Sequence, residues 1–208
     1  MQRGKFIVFE GIDGSGKSTQ VKLLTERLKT ANYPIYQTFE PTNSPIGSLI
    51  RNMLYGRIEG DEKTLAALYL ADRLDHIQNS TNGMLKYLDK GTNVISDRYY
   101  FSSYAYHVPH VSLDWVVEAN SICAELLRPD LIIFIDITTK TSLERLTKGR
   151  NELDKFENFE RISTVRKNYM TAMKRFEGAE NVVVIDGNQS FEAVSEAIWN
   201  LVLPVLEG

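Results

Sequence analysis

Only one of the 208 residues is a cysteine, Cys123, so the chain cannot form an internal disulfide. A lone cysteine suits a reducing compartment, and its expected place is as a small apolar group in the core. No apolar run approaches the roughly 20 residues that a membrane span needs. The N-terminus holds only a five-residue apolar stretch after Lys5, too short for the hydrophobic region of a signal peptide. Export and membrane anchoring are therefore not expected, and the cytoplasm is the expected compartment. Excess basic charge is also missing: 24 Lys and Arg stand against 27 Asp and Glu, for a net charge of −3. That balance argues against broad contact with nucleic acid or a charged membrane surface. There is no repeat, low-complexity tract or clear linker, so one domain over residues 1–208 is expected.

What is present is a regular alternation. Lys5–Glu10 is a short Phe/Ile/Val run and reads as a buried strand. Ile35–Thr38, Asn93–Ser96, Leu131–Ile137 and Val182–Asp186 have the same character, giving five strands. Leu131–Ile137 is apolar on both faces, as a central parallel strand is. Between them, apolar residues recur at helical spacing over 17–31, 46–55, 65–77, 113–127 and from Ile162 to Phe176, with a last helix from Phe191. Thr141 to Glu144 has the form of a capping box. The expected fold class is α/β: a five-stranded parallel sheet with helices on both faces, its ligands at the carboxyl ends of the strands.

The chemistry is announced after the first strand. Gly11-Ile12-Asp13-Gly14-Ser15-Gly16-Lys17-Ser18, followed by Thr19, fits G-x-x-x-x-G-K-[ST] in full. Glycines let the backbone curl around an anion so that several N–H groups point inward. The helix that follows adds the positive end of its dipole. Lys17 is placed to reach the β- and γ-phosphates of a nucleotide, and the Ser18 hydroxyl to ligate Mg²⁺.

Such a loop names a nucleotide, not a reaction. A switch GTPase, a motor or regulatory ATPase and a small-molecule kinase all fit it. The Asn-Lys-x-Asp tetrapeptide that reads guanine is missing: Thr138-Thr139-Lys140-Thr141 follows the fourth strand. Large ATPase modules usually need more chain. A kinase joining two phosphates needs arginines around the transferred group and a lid that excludes water. Arg98 directly follows a strand, Arg73 lies within a helix, and Lys148-Gly149-Arg150 opens a charged stretch that suits a lid.

Five segments together make the chain resemble the thymidylate kinase family: Phe9 to Gln20, Glu40-Pro41, Ala71-Asp72-Arg73, Asp97-Arg98-Tyr99 with Ser102, Ser103 and Tyr106, and Arg128-Pro129-Asp130-Leu131. The resemblance runs the length of the chain, and the Asp-Arg-Tyr element is its most diagnostic part. It implies ATP-dependent phosphorylation of dTMP to dTDP with Mg²⁺, carried out by a homodimer. It also implies residue roles. Asp13 would bind the acceptor's 3′-hydroxyl. Arg73 would donate to the thymine 4-carbonyl, and a guanidinium, which cannot accept, would disfavour cytosine. Tyr69, one helical turn earlier, would stack on the base, with Ser103 beside it. Tyr106 would crowd the 2′-carbon of the sugar. Arg98 would bridge phosphates, Asp97 would hold Mg²⁺ with Ser18, and Pro41, after a cis peptide, would shape the acceptor floor. Ser102 would complete the acceptor site, and Arg145 would lie against adenine.

Two positions depart from common family patterns. Some members carry arginine directly after the P-loop aspartate; here Gly14 stands there, so the arginine finger would come from the lid at about 148–157, with Arg150 first and Lys148 next. Bacterial members commonly have arginine before Glu-Pro; here it is Phe39, and Arg51 in the next helix is the candidate replacement. The competing readings are a kinase for another pyrimidine monophosphate such as dUMP, and a nucleotide-dependent regulatory or binding module.

Overall fold

The computed structural model describes residues 2–108, 110–146 and 152–208, with the side chains of 152–158 outside that description. Five strands, β1 (Phe6–Glu10), β2 (Ile35–Phe39), β3 (Asn93–Asp97), β4 (Leu131–Asp136) and β5 (Val182–Asp186), form one parallel sheet in the order β2-β3-β1-β4-β5. β1 lies at the centre. Phe9 pairs with Asp97 of β3 on one side and with Ile133 of β4 on the other.

Strand geometry divides the core in two. Successive side chains point to opposite faces, so Phe6, Val8, Val94, Ile132 and Phe134 feed one cluster. Ile7, Phe9, Ile95, Ile133 and Ile135 feed the other. Each such side chain, fully buried, contributes roughly 1.5–3 kcal/mol. A one-residue slip would exchange the two sets, which fixes the register. The second cluster is closed by α1 (Lys17–Thr30) through Val21, Leu24 and Leu28, and by α9 (Phe191–Glu207) through Val194, Ile198 and Val202. The first lies under α5 (Tyr100–Tyr106), α6 (Leu113–Leu126) and α8 (Glu152–Arg175).

The remaining helices are α2 (Pro45–Leu54), α3 (Glu62–Gln78), α4 (Met84–Leu88) and α7 (Thr139–Leu146). Their starts follow capping chemistry. Ser44 accepts from the Gly47 amide with Pro45 behind it, Asp61 from Thr64 and Ser112 from Trp115. Asp61 starts α3 three residues before the expected Leu65. The capping residue of α7 is Thr138, whose hydroxyl accepts from the Thr141 amide at 3.1 Å. Thr141 therefore lies inside the helix and does not open it, because the backbone turns helical as soon as β4 ends. The expected lid overlaps α8: residues 152–157 belong to that helix. Lys148 and Arg150 lie outside the described residues. The short α4 and α5 were not expected. α5 is rich in aromatic residues with little helical preference, and burial among core rings holds it.

Candidate active site

The loop after β1 turns on three glycines with positive φ, Gly11, Gly14 and Gly16. At Gly11, φ is 146° and a Cβ would stand 2.6 Å from the Ile135 carbonyl oxygen, so only glycine fits. α1 starts at Gly16 with no side-chain cap, which leaves its first amides turned to the loop's hollow. Lys17 is buried there, its Nζ donating to the Ile12 carbonyl at 3.0 Å. Burial lowers its pKa to about 8. The charge of Arg98 acts in the same direction, while Asp97, Asp13 and Glu10 pull the other way. A lysine held in that state gains most when a polyanion enters.

The cradle faces a cleft of about 560 Å³ lined by Asp13, Lys17, Ser18, Thr19, Asp97 and Arg98, with the end of β2 on its far side. The Ser18 hydroxyl donates to Asp97 Oδ2, and the other carboxylate oxygen, Oδ1, is buried without a hydrogen-bond partner. Among the described residues no cluster of three or more His, Cys, Asp or Glu exists that would hold a metal alone. A serine and one carboxylate with a spare oxygen is the donor set of a cation bound jointly by protein, water and phosphate.

Arg98 reaches the cleft from a left-handed backbone, φ 77°, uncommon for a residue with a Cβ. Its Nη2 donates to Asp13 Oδ1 at 2.5 Å and to the Tyr106 hydroxyl at 3.3 Å. Nη1 donates to the Ser102 hydroxyl at 3.0 Å and to that of Tyr169 at 3.3 Å. The guanidinium also lies 4.9 Å from the centre of the Tyr106 ring. Burial pushes the Tyr106 hydroxyl up to about 12, against the pull of Arg98, so it stays neutral.

Arg73 has another setting. Its side chain is wholly enclosed, and each guanidinium nitrogen has a protein partner. Nε and Nη2 meet Glu40 Oε2 at 2.9 and 2.7 Å. Nη2 also donates to the Tyr99 carbonyl at 3.1 Å. Nη1 donates to Ser103 Oγ at 2.9 Å and to Asn120 Oδ1. Burial alone would tend to discharge it, but the Glu40 carboxylate, with Cys123 and Tyr99 acting in the same direction, raises its pKa. Glu40 is also held by His76 Nδ1 at 3.1 Å, and His76 Nε2 meets Thr38 Oγ1 at 2.7 Å. To reach a base, Arg73 must release one of these partners. Ser103, whose Oγ accepts from Arg73, keeps its own hydrogen to give.

Tyr69 lies one turn from Arg73 on α3, its ring 5.0 Å from that of His107. Burial raises its hydroxyl to about 12 and lowers His107 to about 4. The Glu40–Pro41 peptide is cis. Phe39 stands half-exposed on the cleft wall. Arg51 Nη1 donates to the Pro41 and Thr42 carbonyls, so this guanidinium supports the turn from beneath. Arg145 ties Gly14 to the loop after β5, donating to the Gly14 and Gly187 carbonyls at 3.1 and 3.2 Å. The structure thus gathers Asp13, Lys17, Ser18, Phe39, Asp97 and Arg98 around one cleft, with Arg73 and Ser103 enclosed behind it. Sequence reasoning did not single out Asn120, His76 or Tyr169 for the site. Each joins it across 30 or more residues, and no local pattern marks such a contact.

A phosphate cradle at the end of a central parallel strand, with a buried lysine and an arginine across the same cleft, defines a P-loop phosphotransferase. The comparisons narrow that class. The family model described as Thymidylate kinase matches residues 9–198, and the chain belongs to that family. It is 37% identical over 213 residues, 99% of each chain, to the "Probable thymidylate kinase" of Pyrococcus abyssi (strain GE5 / Orsay). It is 36% identical over 204 residues, 97% of this chain and 95% of the other, to the protein of the same name from Methanobrevibacter smithii. With its namesake from Methanocaldococcus jannaschii the identity is 37% over 182 residues, 87% and 86% of the two chains. Among the described residues no helix is long and apolar enough to cross a membrane.

Proposed function

We propose that the chain transfers the γ-phosphoryl group of ATP to the 5′-phosphate of dTMP, giving ADP and dTDP. The observation that carries this is Arg98, whose guanidinium shares the Lys17 cleft and bonds Asp13 of the cradle itself at 2.5 Å. A cation at that point bridges a donor on Lys17 and an acceptor phosphate opposite. The acceptor phosphate, with a second pKa of about 6, is already ionised near neutral pH, so no strong base is needed. Catalysis is then positioning and charge neutralisation by Lys17 and Arg98.

Mg²⁺ completes this reading. Ser18 Oγ and Asp97 would hold it, and the unpartnered Asp97 Oδ1 supports the fit. The ion would supply charge neutralisation on the β- and γ-phosphate oxygens. On the acceptor side, Tyr69 and Ser103 would meet the base with Arg73 behind them, Tyr106 would close off the 2′-position, and Phe39 and Pro41 would form the floor. Arg150 is the proposed lid arginine. A single domain acting as a cytoplasmic homodimer belongs to the same proposal. The single buried cysteine agrees with the compartment, and the outward-facing Trp115 and Ile122 of α6, 41% and 47% exposed, agree with pairing.

A coupled assay of ADP release over a panel of nucleoside monophosphates tests the reading. The expected outcome is fastest turnover with dTMP, slower with dUMP and least with dCMP. A panel in which another monophosphate leads replaces the acceptor. A panel with no turnover leaves only a nucleotide-binding module.

A further inference from the structure

Glu10 ends β1 beside the cradle, is almost wholly buried, and has no part in the transfer described above. Its two oxygens are consumed by four donors. Oε1 accepts from the backbone amides of Tyr99, at 2.9 Å, and Ser102, at 3.1 Å. Oε2 accepts from the Ser102 hydroxyl at 2.7 Å and from the Tyr169 hydroxyl at 2.9 Å. Those same two hydroxyls are the partners of Arg98 Nη1.

We propose that Glu10 and Tyr169 are positioning residues for the phosphate-bridging Arg98, acting on both its backbone and its side chain. The proposal rests on the phosphotransfer reading. Two observations converge on it. The first concerns the main chain. Arg98 has φ 77°, a conformation that persists only where neighbours over-determine it. Its own amide is taken by Phe9 O at 2.9 Å and its carbonyl by Ser96 Oγ at 2.8 Å. Glu10 takes the next amide along, that of Tyr99. A strand-end carboxylate thus closes the set of bonds that holds the left-handed turn.

The second concerns hydrogen polarity. A serine or tyrosine hydroxyl has one hydrogen to give. The two hydroxyls also lie 2.9 Å from each other, but the Glu10 carboxylate oxygen, at 2.7 and 2.9 Å, is the stronger acceptor and draws their hydrogens, which turns lone pairs toward Arg98. A guanidinium only donates, so it needs acceptors at those points. Reversing either hydroxyl would set donor against donor. Tyr169 brings this link from α8, where its ring also packs on Phe134 and meets Tyr106 edge-on. Loss of the hydroxyl alone leaves that packing in place.

The test is a double-mutant cycle on turnover. Tyr169→Phe removes one hydroxyl. Glu10→Gln keeps the shape, but its amide nitrogen places a donor against either the hydroxyls or the backbone amides. By the usual cost of losing a group that orients a reacting one, Tyr169→Phe should lower kcat by about 10-fold and Glu10→Gln by about 100-fold. KM for ATP should move by less than about 2-fold if the cradle itself is intact. In an Arg98→Ala background, Tyr169→Phe should cost nothing more, because its only route to the chemistry is gone. Should Glu10→Gln fail to fold, the Tyr169→Phe cycle decides alone. Wild-type kcat in Tyr169→Phe, or losses that multiply with Arg98→Ala, would overturn the proposal. The cycle uses the monophosphate that wild-type protein turns over fastest, so a wrong acceptor defeats the earlier reading and leaves this one standing; an inert wild-type protein defeats both.

Discussion

Arg98 precedes Tyr99 in the chain and Arg73 donates to the Tyr99 carbonyl, yet the two arginines are held in opposite ways. Arg73 is sealed, with 0% of its side chain exposed, and is locked to a buried carboxylate. Arg98 is 18% exposed and is held mostly by neutral hydroxyls, its one ionic partner among the described residues being the 44% exposed Asp13. A buried ion pair is costly to break, because either partner alone is an uncompensated charge. The Nη2 contacts, to the half-exposed Asp13 and the Tyr106 hydroxyl, are the ones cheap to exchange for phosphate oxygens. Arg73 is therefore built into the fold. On the proposed phosphotransfer, Arg98 keeps Nη1 on Ser102 and Tyr169 and turns Nη2 to the anion.

The sharpest way to break this contrast is to delete each guanidinium. Arg98→Ala should lower kcat by on the order of 10²–10³, the usual cost of removing one transition-state charge. The melting temperature should barely move. Arg98→Lys should rescue little, since an ammonium with three hydrogens cannot span Asp13 and three hydroxyls at once. Steady-state rates and a thermal scan check both statements, and a collapse in stability with Arg98→Ala would erase the distinction.

Arg73→Ala should show the reverse balance. It leaves Glu40 in the interior with His76 as its remaining side-chain partner, and breaking a buried ion pair typically costs about 3–5 kcal/mol. Denaturant unfolding should detect this, and whatever activity survives should show a raised KM for dTMP with ATP binding little changed. An Arg73→Ala protein of wild-type stability would mean that Glu40 finds another partner or water.

The contrast also explains what the sequence could reveal. The sheet, its five strands and the cradle were legible because each is written in contiguous residues. LIIFID is buried whatever lies around it, and a glycine at φ 146° against a carbonyl allows no other residue. Both arginines were legible as cations beside strand or helix signals. Their different states were not. Nothing near Arg73 in the chain announces Asn120, and nothing near Arg98 announces Tyr169, because those contacts exist only once α6 and α8 pack on the sheet. The capping motif at Thr141 misled because Thr138, three residues earlier, offers the same chemistry at the point where the strand ends. Glu10 was readable as a strand-end carboxylate but not as the acceptor of four hydrogen bonds.

A smaller effect sharpens the phosphate side. Tyr106→Ala should remove the ring beside Arg98 and improve relative turnover of a ribose monophosphate over its deoxy counterpart. A ratio equal to that of wild type would take Tyr106 out of sugar discrimination. Some loss of kcat should accompany the change, since the Tyr106 hydroxyl also accepts from Arg98.

The subtlest test concerns Lys17, which shares the cleft with Arg98 and whose charge is destabilised by burial. Its pKa in the free protein is about 8, against about 10.4 for an unperturbed lysine. Between those values the unfolded chain binds more protons than the native one, so this group makes stability rise with pH across that window. Below pH 8 both states are charged and the burial penalty is present in full. Lys17→Met should therefore be more stable than wild type below about pH 8, with the advantage shrinking towards pH 10.5. Comparing the two variants at each pH cancels the titration of groups remote from Lys17, and the acidic groups coupled to it, Asp97, Asp13 and Glu10, have ordinary ranges well below this window. A bound triphosphate reverses the situation, because its charge favours the ammonium form. Nucleotide binding near pH 9 should then take up close to one proton in wild type and none through this site in Lys17→Met. Calorimetry in buffers of different ionisation enthalpy reads that uptake directly. A stability difference that stays flat with pH, or equal uptake in both proteins, would show that Lys17 is fully charged before any phosphate arrives.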